Sequence, residues 1–244
     1  MRKFGLIGYP LKHSFSKSYF EKKFSNLNIN DASYENFELN NIKDLNLIIT
    51  NNSNISGLNV TIPFKERVIS YLDEIDEEAK KIGSVNVIKF HNNKLSGFNT
   101  DYLGFKKSLL DWIPKINFSA LVLGSGGSSN AICYTLKQLK IPYKIVSRFS
   151  GESRISYEEL LKSDDLINNN LIINTTPLGM YPNIDTMPNL NFDQINSNHY
   201  VFDLVYNPEK TKLLSISKSK GAKVKNGYEM LVNQAELSWD IWNK

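Results

Sequence analysis

In Gly57-Leu58-Asn59-Val60-Thr61-Ile62-Pro63-Phe64-Lys65, Asn59 and Thr61 alternate with apolar neighbours. On a strand, side chains two residues apart share a face, so both polar groups point one way. Pro63 closes the strand, and Lys65 is expected to open a helix. A cation there opposes the helix macrodipole, a placement that needs some other justification. With 25 lysines in the chain most must be solvated, so position rather than residue type singles out Lys65. Asp101, closing Gly97-Phe98-Asn99-Thr100-Asp101, has two readings. It caps a helix over 102–110, or, taken with Lys65, it is half of a proton-transfer pair for interconverting a ketone and an alcohol.

Gly124-Ser125-Gly126-Gly127, followed by Ser128 and Ser129, comes directly after an apolar strand and before a helix. The pattern supplies a tight turn, a close backbone approach and free N–H groups at a helix start, which together suit a pyrophosphate. Glycine-rich turns also arise for steric reasons alone. Downstream, Tyr143-Lys144-Ile145-Val146-Ser147 runs into Arg148, with Arg154 following and no acid at the strand end. An acid there would accept from a ribose 2′-hydroxyl, whereas arginine meets the 2′-phosphate of NADP. The chain has four arginines, Arg2, Arg67, Arg148 and Arg154, and two of them fall in this loop. NADP is therefore the expected dinucleotide, the alternative being that Arg148 is a solvated loop cation. Ser14-Phe15-Ser16 precedes a helix, so either hydroxyl caps it, or the two hold a small anion such as a carboxylate. Asn86, Tyr206 and Gln234 are further polar residues in apolar contexts.

Positioning these groups falls to short β-branched runs that alternate with amphipathic, helix-length stretches, the pattern of an α/β protein with mostly parallel strands. Strands are expected over 3–7, 33–37, 57–61, 85–90 and 94–98, the last two joined as a hairpin by His91-Asn92-Asn93. Helices are expected over 15–27, 42–50, 66–72 and 74–82. A strand over 118–123 then runs into the glycine turn and a helix over 128–139, starting a fresh βαβ unit. Strands at Tyr143–Ser147, Leu171–Asn174, 200–204 and 223–225 follow, with helices at Tyr157–Leu161, 211–219 and 228–242. The expected organisation is one domain over 1–100, rejoined by 227–244, and a second over 101–226.

A length of 244 residues accommodates two compact domains, and 41% hydrophobic residues suffice for their cores. The net charge of +4 is spread along the chain without a basic tract, which argues against a nucleic-acid or polybasic membrane partner. A single cysteine, Cys133, excludes a disulfide framework and a multi-cysteine zinc site, and His13, His91 and His199 lack ligand spacing, so no metal is expected. No apolar run approaches the ~20 residues of a membrane span, and residues 1–12 lack the hydrophobic region of a signal peptide; a cytoplasmic location is expected.

Taken together, the residues resemble the shikimate dehydrogenase family, NADP-dependent enzymes that reduce 3-dehydroshikimate to shikimate. The matching blocks are Ile7-Gly8-Tyr9-Pro10 with His13-Ser14-Phe15-Ser16-Lys17-Ser18, residues 57–65, Gly83-Ser84-Val85-Asn86, residues 97–101, Gly124-Ser125-Gly126-Gly127, Asn174-Thr175-Thr176-Pro177-Leu178-Gly179-Met180, residues 203–206 with Pro208 and Thr211, and residues 227–234. Each block is modest; their shared order along nearly the whole chain is specific.

The resemblance implies a substrate-binding α/β domain that also receives the C-terminal helix, a Rossmann-like NADP-binding domain, and a cleft between them. It implies that Ser14 and Ser16 take the substrate carboxylate with Tyr206 nearby, that Asn59, Thr61, Asn86, Asp101 and Gln234 meet the ring hydroxyls, and that Lys65, hydrogen-bonded to Asp101, transfers the proton. On the cofactor side it implies Gly124, Ser125, Gly126, Gly127 and Ser128 for the pyrophosphate, Ser147, Arg148 and Arg154 for the adenosine phosphate, and Thr176, Leu204, Gly227 and Met230 for the nicotinamide end, with Glu77 a further cofactor position. The partners are then small molecules, with no nucleic acid or membrane, and the chain acts as a monomer or homodimer. Ser147, Phe149 and Asn130, at the cofactor end, and Val87, beside Asn86, differ from the residues common in the family. Two other readings stand beside this one. A quinate/shikimate dehydrogenase using NAD would need an acid before Arg148; a non-catalytic shikimate- or nucleotide-sensing module would have no need of both Lys65 and Asp101.

Overall fold

The structure is a computed structural model and describes the chain from Met1 to Lys244 except His13, Pro114 and Ile116. Two compact units divide it: Met1–Thr100 with Ala235–Lys244, and Asp101–Gln234. The return to the first unit comes at Ala235, inside the last helix, rather than at residue 227.

The first unit contains β1 (Arg2–Gly8), α1 (Phe15–Asn26), β2 (Ala32–Glu38), α2 (Leu45–Asn51), β3 (Ile55–Val60), β4 (Glu74–Ile75), α3 (Glu77–Ile82), β5 (Val87–His91) and β6 (Lys94–Phe98). Their six-stranded sheet has the order β2-β1-β3-β5-β6-β4. Strands β2, β1 and β3 are parallel, with α1 and α2 in the two crossovers, while β3/β5 and β5/β6 are antiparallel. Asn92 and Asn93 turn the β5–β6 hairpin with φ of 51° and 60°, the left-handed region that asparagine tolerates. Pleating sends successive side chains to opposite faces: Phe4 and Leu6 join Phe20, Phe24, Tyr34, Val87 and Trp242, whereas Ile7 joins Leu58, Val60 and Ile88.

Two expected helices change character here. Residues 74–82 split into β4, paired with β6, and α3, because the Asp76 carboxylate accepts from the N–H groups of Glu78 and Ala79 and starts the helix there. Residues 67–71 form a 3-10 helix, so Lys65 lies in a turn rather than at an α-helix start, and the macrodipole argument does not apply to it.

The end of the last helix is keyed to this sheet through one glycine. Trp242 Nε1 donates to the Ile88 carbonyl at 3.0 Å, and its indole covers Gly57, where any Cβ would collide with the ring. Gly57→Ala is expected to destabilise the protein by about 1–3 kcal/mol, the usual range for overpacking, read as a lower midpoint in urea titration.

The second unit contains α4 (Asp101–Trp112), β7 (Ala120–Leu123), α5 (Gly127–Gln138), β8 (Tyr143–Ser147), β9 (Arg154–Ser156), α6 (Tyr157–Leu161), α7 (Asp165–Asn168), β10 (Leu171–Asn174), β11 (Tyr200–Asp203), α8 (Lys212–Ser219), β12 (Lys223–Asn226) and the first turns of α9 (Tyr228–Asn243). All six strands are parallel in the order β12-β11-β10-β7-β8-β9, the doubly wound arrangement of dinucleotide-binding folds. Both faces are buried, as a parallel sheet flanked by helices requires. Val122, Ile173 and Phe202 pack with Phe105, Leu109 and Ile132, and Leu121, Leu123, Ile172 and Val201 pack with Leu160, Leu213 and Leu214. Arg154, expected in a loop, heads β9 instead.

Candidate active site

In the first unit, Ser14 is the N-cap residue of α1 but makes no side-chain capping bond, so helix capping does not account for its hydroxyl. Ser16 lies in the first turn of that helix. Burial pushes the phenol pKa of Tyr34, on β2, up, and Ser16 works against that shift. Tyr34 Oη donates to Asn59 Oδ1 at 2.8 Å. Asn59, only 4% exposed on β3, donates from Nδ2 to the Asn86 carbonyl at 3.3 Å and to Ser238 Oγ at 3.0 Å. Asn86 is held by Thr100: Oδ1 accepts the Thr100 N–H at 2.7 Å, and Nδ2 donates to Thr100 Oγ1 at 3.0 Å. Asn99 Nδ2 completes the clasp by donating to Ser84 O and Oγ at 2.9 and 3.0 Å.

Thus the expected residues Asn59 and Asn86 belong to one continuous hydrogen-bonded chain with Tyr34 and Thr100. Lys65 is half-buried beside it, with its carbonyl accepting from the Val85 N–H at 2.8 Å. Thr61 is anchored by its N–H to the Ile7 carbonyl at 2.9 Å. His13, from the same sequence block as the two serines, lies outside the described residues. Glu77 stands apart. It is exposed in the first turn of α3, and an ion pair with Lys80 at 2.9 Å holds its carboxyl below the usual range.

In the second unit the glycine turn sits after β7, and Asn174-Thr175-Thr176 follows the adjacent β10. This is the point at which strand order reverses, where doubly wound folds bind their ligands. Gly124 has φ 115°, and a Cβ there would stand 2.5 Å from Thr175 Oγ1, so the two loops abut through a position only glycine fills. Ser129, where the dinucleotide pattern has its third glycine, is buried and donates from Oγ to the Gly124 carbonyl at 2.8 Å, closing the turn with a hydrogen bond. Helix α5 begins at Gly127, its N-cap Gly126 offers no side chain, and a Cβ on Gly126 would meet nothing within 4 Å. A glycine turn leading into the start of a twelve-residue helix suits a pyrophosphate.

At the end of β8, Arg148 is exposed, while Ser147 is 6% exposed and donates from Oγ to the Phe149 carbonyl at 2.6 Å. Ser147 therefore shapes the turn that presents Arg148. Beyond β10, Thr176 N and Oγ1 both donate to Asn174 Oδ1, at 3.1 and 2.7 Å, and Asn174 Nδ2 donates to Asp203 Oδ1 at 2.9 Å. Gly227 lies against the Leu204 carbonyl so closely that any Cβ would overlap it. Met230 is buried with Phe105 and Leu109, and Gln234 Nε2 donates back to the Leu231 carbonyl at 3.0 Å. Tyr206 lies just past β11, and Asp101 opens α4 as a buried residue directly after Thr100.

Sequence reasoning missed Tyr34, Ser238 and the Asn174–Asp203–Thr211 cluster. The last had a signal: Asn174 and Asp203 end otherwise apolar strands, and Thr211 stands where a helix begins. Asp203 accepts from Thr211 Oγ1 at 2.6 Å, Asn174 Nδ2 at 2.9 Å and the Val205 N–H at 3.1 Å. Burial nevertheless prevails over these bonds and pushes its carboxyl up to about 6. A folded-state value above the unfolded one means that the native state holds the proton more tightly. The contribution of Asp203 is then full below the model-peptide range near 4 and is lost as pH rises through about 6. The loss amounts to about 2–3 kcal/mol. Urea titrations between pH 4 and 7 are expected to show this decline, and Asp203→Asn to flatten it.

Among the described residues, no group of three or more His, Cys, Asp or Glu is placed to hold a metal ion, and no helix is long and apolar enough to cross a membrane. Residues 6–88 match the family model of the shikimate dehydrogenase substrate binding domain. The shikimate dehydrogenase (NADP(+)) of Clostridium beijerinckii is 42% identical, over 100% of this chain and 93% of its own. Shikimate dehydrogenase 1 of Peptoclostridium difficile has the same fold, with a TM-score of 0.89 at 38% identity, over 100% of this chain and 92% of that one. The Thermus thermophilus shikimate 5-dehydrogenase solved with NADP(H) and shikimate aligns with a TM-score of 0.84 at 28% identity, over 99% and 93% of the two chains.

Proposed function

This chain belongs to the shikimate dehydrogenase family, and from that premise we propose which of its side chains carry the reaction. It is an NADP-dependent oxidoreductase acting on a CH–OH group, interconverting 3-dehydroshikimate and shikimate. Ser14 and Ser16 hold the substrate carboxylate, with Tyr206 contributing. Asn59, Thr61, Asn86, Asp101 and Gln234 meet the ring hydroxyls. Support for the substrate side comes from one observation above all: a single hydrogen-bonded chain runs from Tyr34 through Asn59 to Asn86 and Thr100.

Bound NADPH supplies the hydride for the C3 carbonyl. Lys65 gives its ammonium proton to the carbonyl oxygen and, in the reverse direction, takes the proton from the hydroxyl. Asp101 is the partner carboxylate in the same proton transfer. The turn Gly124-Ser125-Gly126-Gly127-Ser128 takes the pyrophosphate, Arg148 and Arg154 the 2′-phosphate, and Thr176, Leu204, Gly227 and Met230 the nicotinamide end. The protein acts on small molecules, as a monomer or homodimer, without nucleic acid. A lone, buried cysteine supports a reducing cytoplasm.

The test is an absorbance assay of NADP+ or NAD+ reduction with shikimate and, separately, with quinate. Shikimate with NADP+ is expected to give the highest kcat/KM. No turnover in any of the four combinations would overturn the catalytic reading in favour of a sensor.

A further inference from the structure

The Asn59 amide is held in one orientation by its partners. Its Nδ2 faces the Asn86 carbonyl at 3.3 Å, which accepts and never donates, so the amide nitrogen must be on that side. The second Nδ2 hydrogen goes to Ser238 Oγ at 3.0 Å. Oδ1 then necessarily faces Tyr34, whose phenol is the donor at 2.8 Å. The phenol oxygen keeps its own acceptor capacity. Every hydrogen of the Asn59 amide is engaged, and what remains is acceptor capacity on Oδ1.

Tyr34 is itself fixed. It is 3% exposed, and its ring stacks on Phe20 with centroids 4.5 Å apart and planes 12° from parallel. The phenol has little freedom to point elsewhere.

We propose that Tyr34 is a positioning residue for substrate recognition: with the Asn86 carbonyl and Ser238 it locks the Asn59 amide so that Asn59 meets the substrate only as a hydrogen-bond acceptor. This rests on the assignment of Asn59 as a ligand of a ring hydroxyl. The consequence is chemical selectivity. The substrate must bring an O–H to Asn59, and an ether or ketone at that position finds no donor. Without the phenol, the amide loses the partner that tethers Oδ1.

Tyr34→Phe keeps the ring and its stack on Phe20 while deleting the donor. Expected is a rise of about tenfold in the KM for shikimate, the range for one buried hydrogen bond, with kcat held within about twofold. The Kd for NADP+ serves as a readout of general damage and is expected to stay close to wild type, while the urea midpoint is expected to fall modestly, as the loss of one buried hydrogen bond requires. In an Asn59→Ala background, Tyr34→Phe is expected to add nothing to the KM, since the group it positions is gone. An unchanged KM in Tyr34→Phe, a fall in midpoint without a rise in KM, or an equal rise in the Asn59→Ala background would each overturn the proposal. A wild-type chain that does not turn over shikimate at all would instead overturn the functional assignment beneath it.

Discussion

Lys65→Ala is expected to lower kcat by roughly 100–10,000-fold, the usual worth of a general acid–base group, with the KM for shikimate nearly unchanged. The split between the two constants follows from where Lys65 is held. Its backbone carbonyl accepts from the Val85 N–H at 2.8 Å, and the preceding Phe64 is buried in the core, so the turn does not depend on the side chain for its shape. Truncation removes the amine and leaves the proposed hydroxyl ligands Asn59 and Asn86 in their hydrogen-bonded frame. Lys65→Arg separates proton donation from charge. The guanidinium keeps the positive charge, but with a pKa above ~12 it releases no proton near neutrality, so the arginine variant is expected to remain slow. Steady-state kinetics on the two variants decide the matter: near-normal turnover in Lys65→Ala removes Lys65 from the mechanism, and recovery in Lys65→Arg assigns it an electrostatic role instead.

The parts of this protein that were readable from sequence are those whose signal is local. The strand carrying Asn59, the glycine turn and the strand ending at Ser147 each announce themselves within a few residues, by alternation or by a strand–glycine–helix sequence. Elements too short for a period escape such reading. Strand β4 has two residues and β9 has three, and both exist because a neighbouring edge, β6 or β8, offers unpaired backbone groups. Distant pairings are equally hidden. Asn59 and Ser238 stand 179 residues apart in the chain, and no spacing rule links them. Sequence therefore named Asn59 as a candidate ligand, whereas only the fold reveals that its amide hydrogens are already engaged. Ser129 is the reverse case: it stands where the dinucleotide pattern has its third glycine, yet its hydroxyl closes the turn on the Gly124 carbonyl.

Arg148→Ala is expected to raise the KM for NADP+ by roughly 10–100-fold, corresponding to loss of one hydrogen-bonded charge contact, while the KM for NAD+ moves by less than about threefold. The reasoning starts from what else is available at the end of β8. Ser147 sits next to Arg148, but its hydroxyl donates to the Phe149 carbonyl at 2.6 Å, and Phe149 is an apolar side chain 76% exposed. Neither contributes a donor to a phosphate in this conformation, so discrimination falls on the exposed guanidinium of Arg148, with Arg154 at the start of β9 as its companion. NAD lacks the 2′-phosphate and has nothing to lose when the arginine goes. Arg148→Lys keeps the charge without the planar fork and is expected to fall between wild type and alanine. Because the contact is exposed and ionic, the gap between the two cofactors should also narrow as salt is raised. Equal loss of NADP+ and NAD+ in Arg148→Ala would show that the side chain supports the turn rather than the phosphate, and the preference for NADP would then have to originate at Arg154.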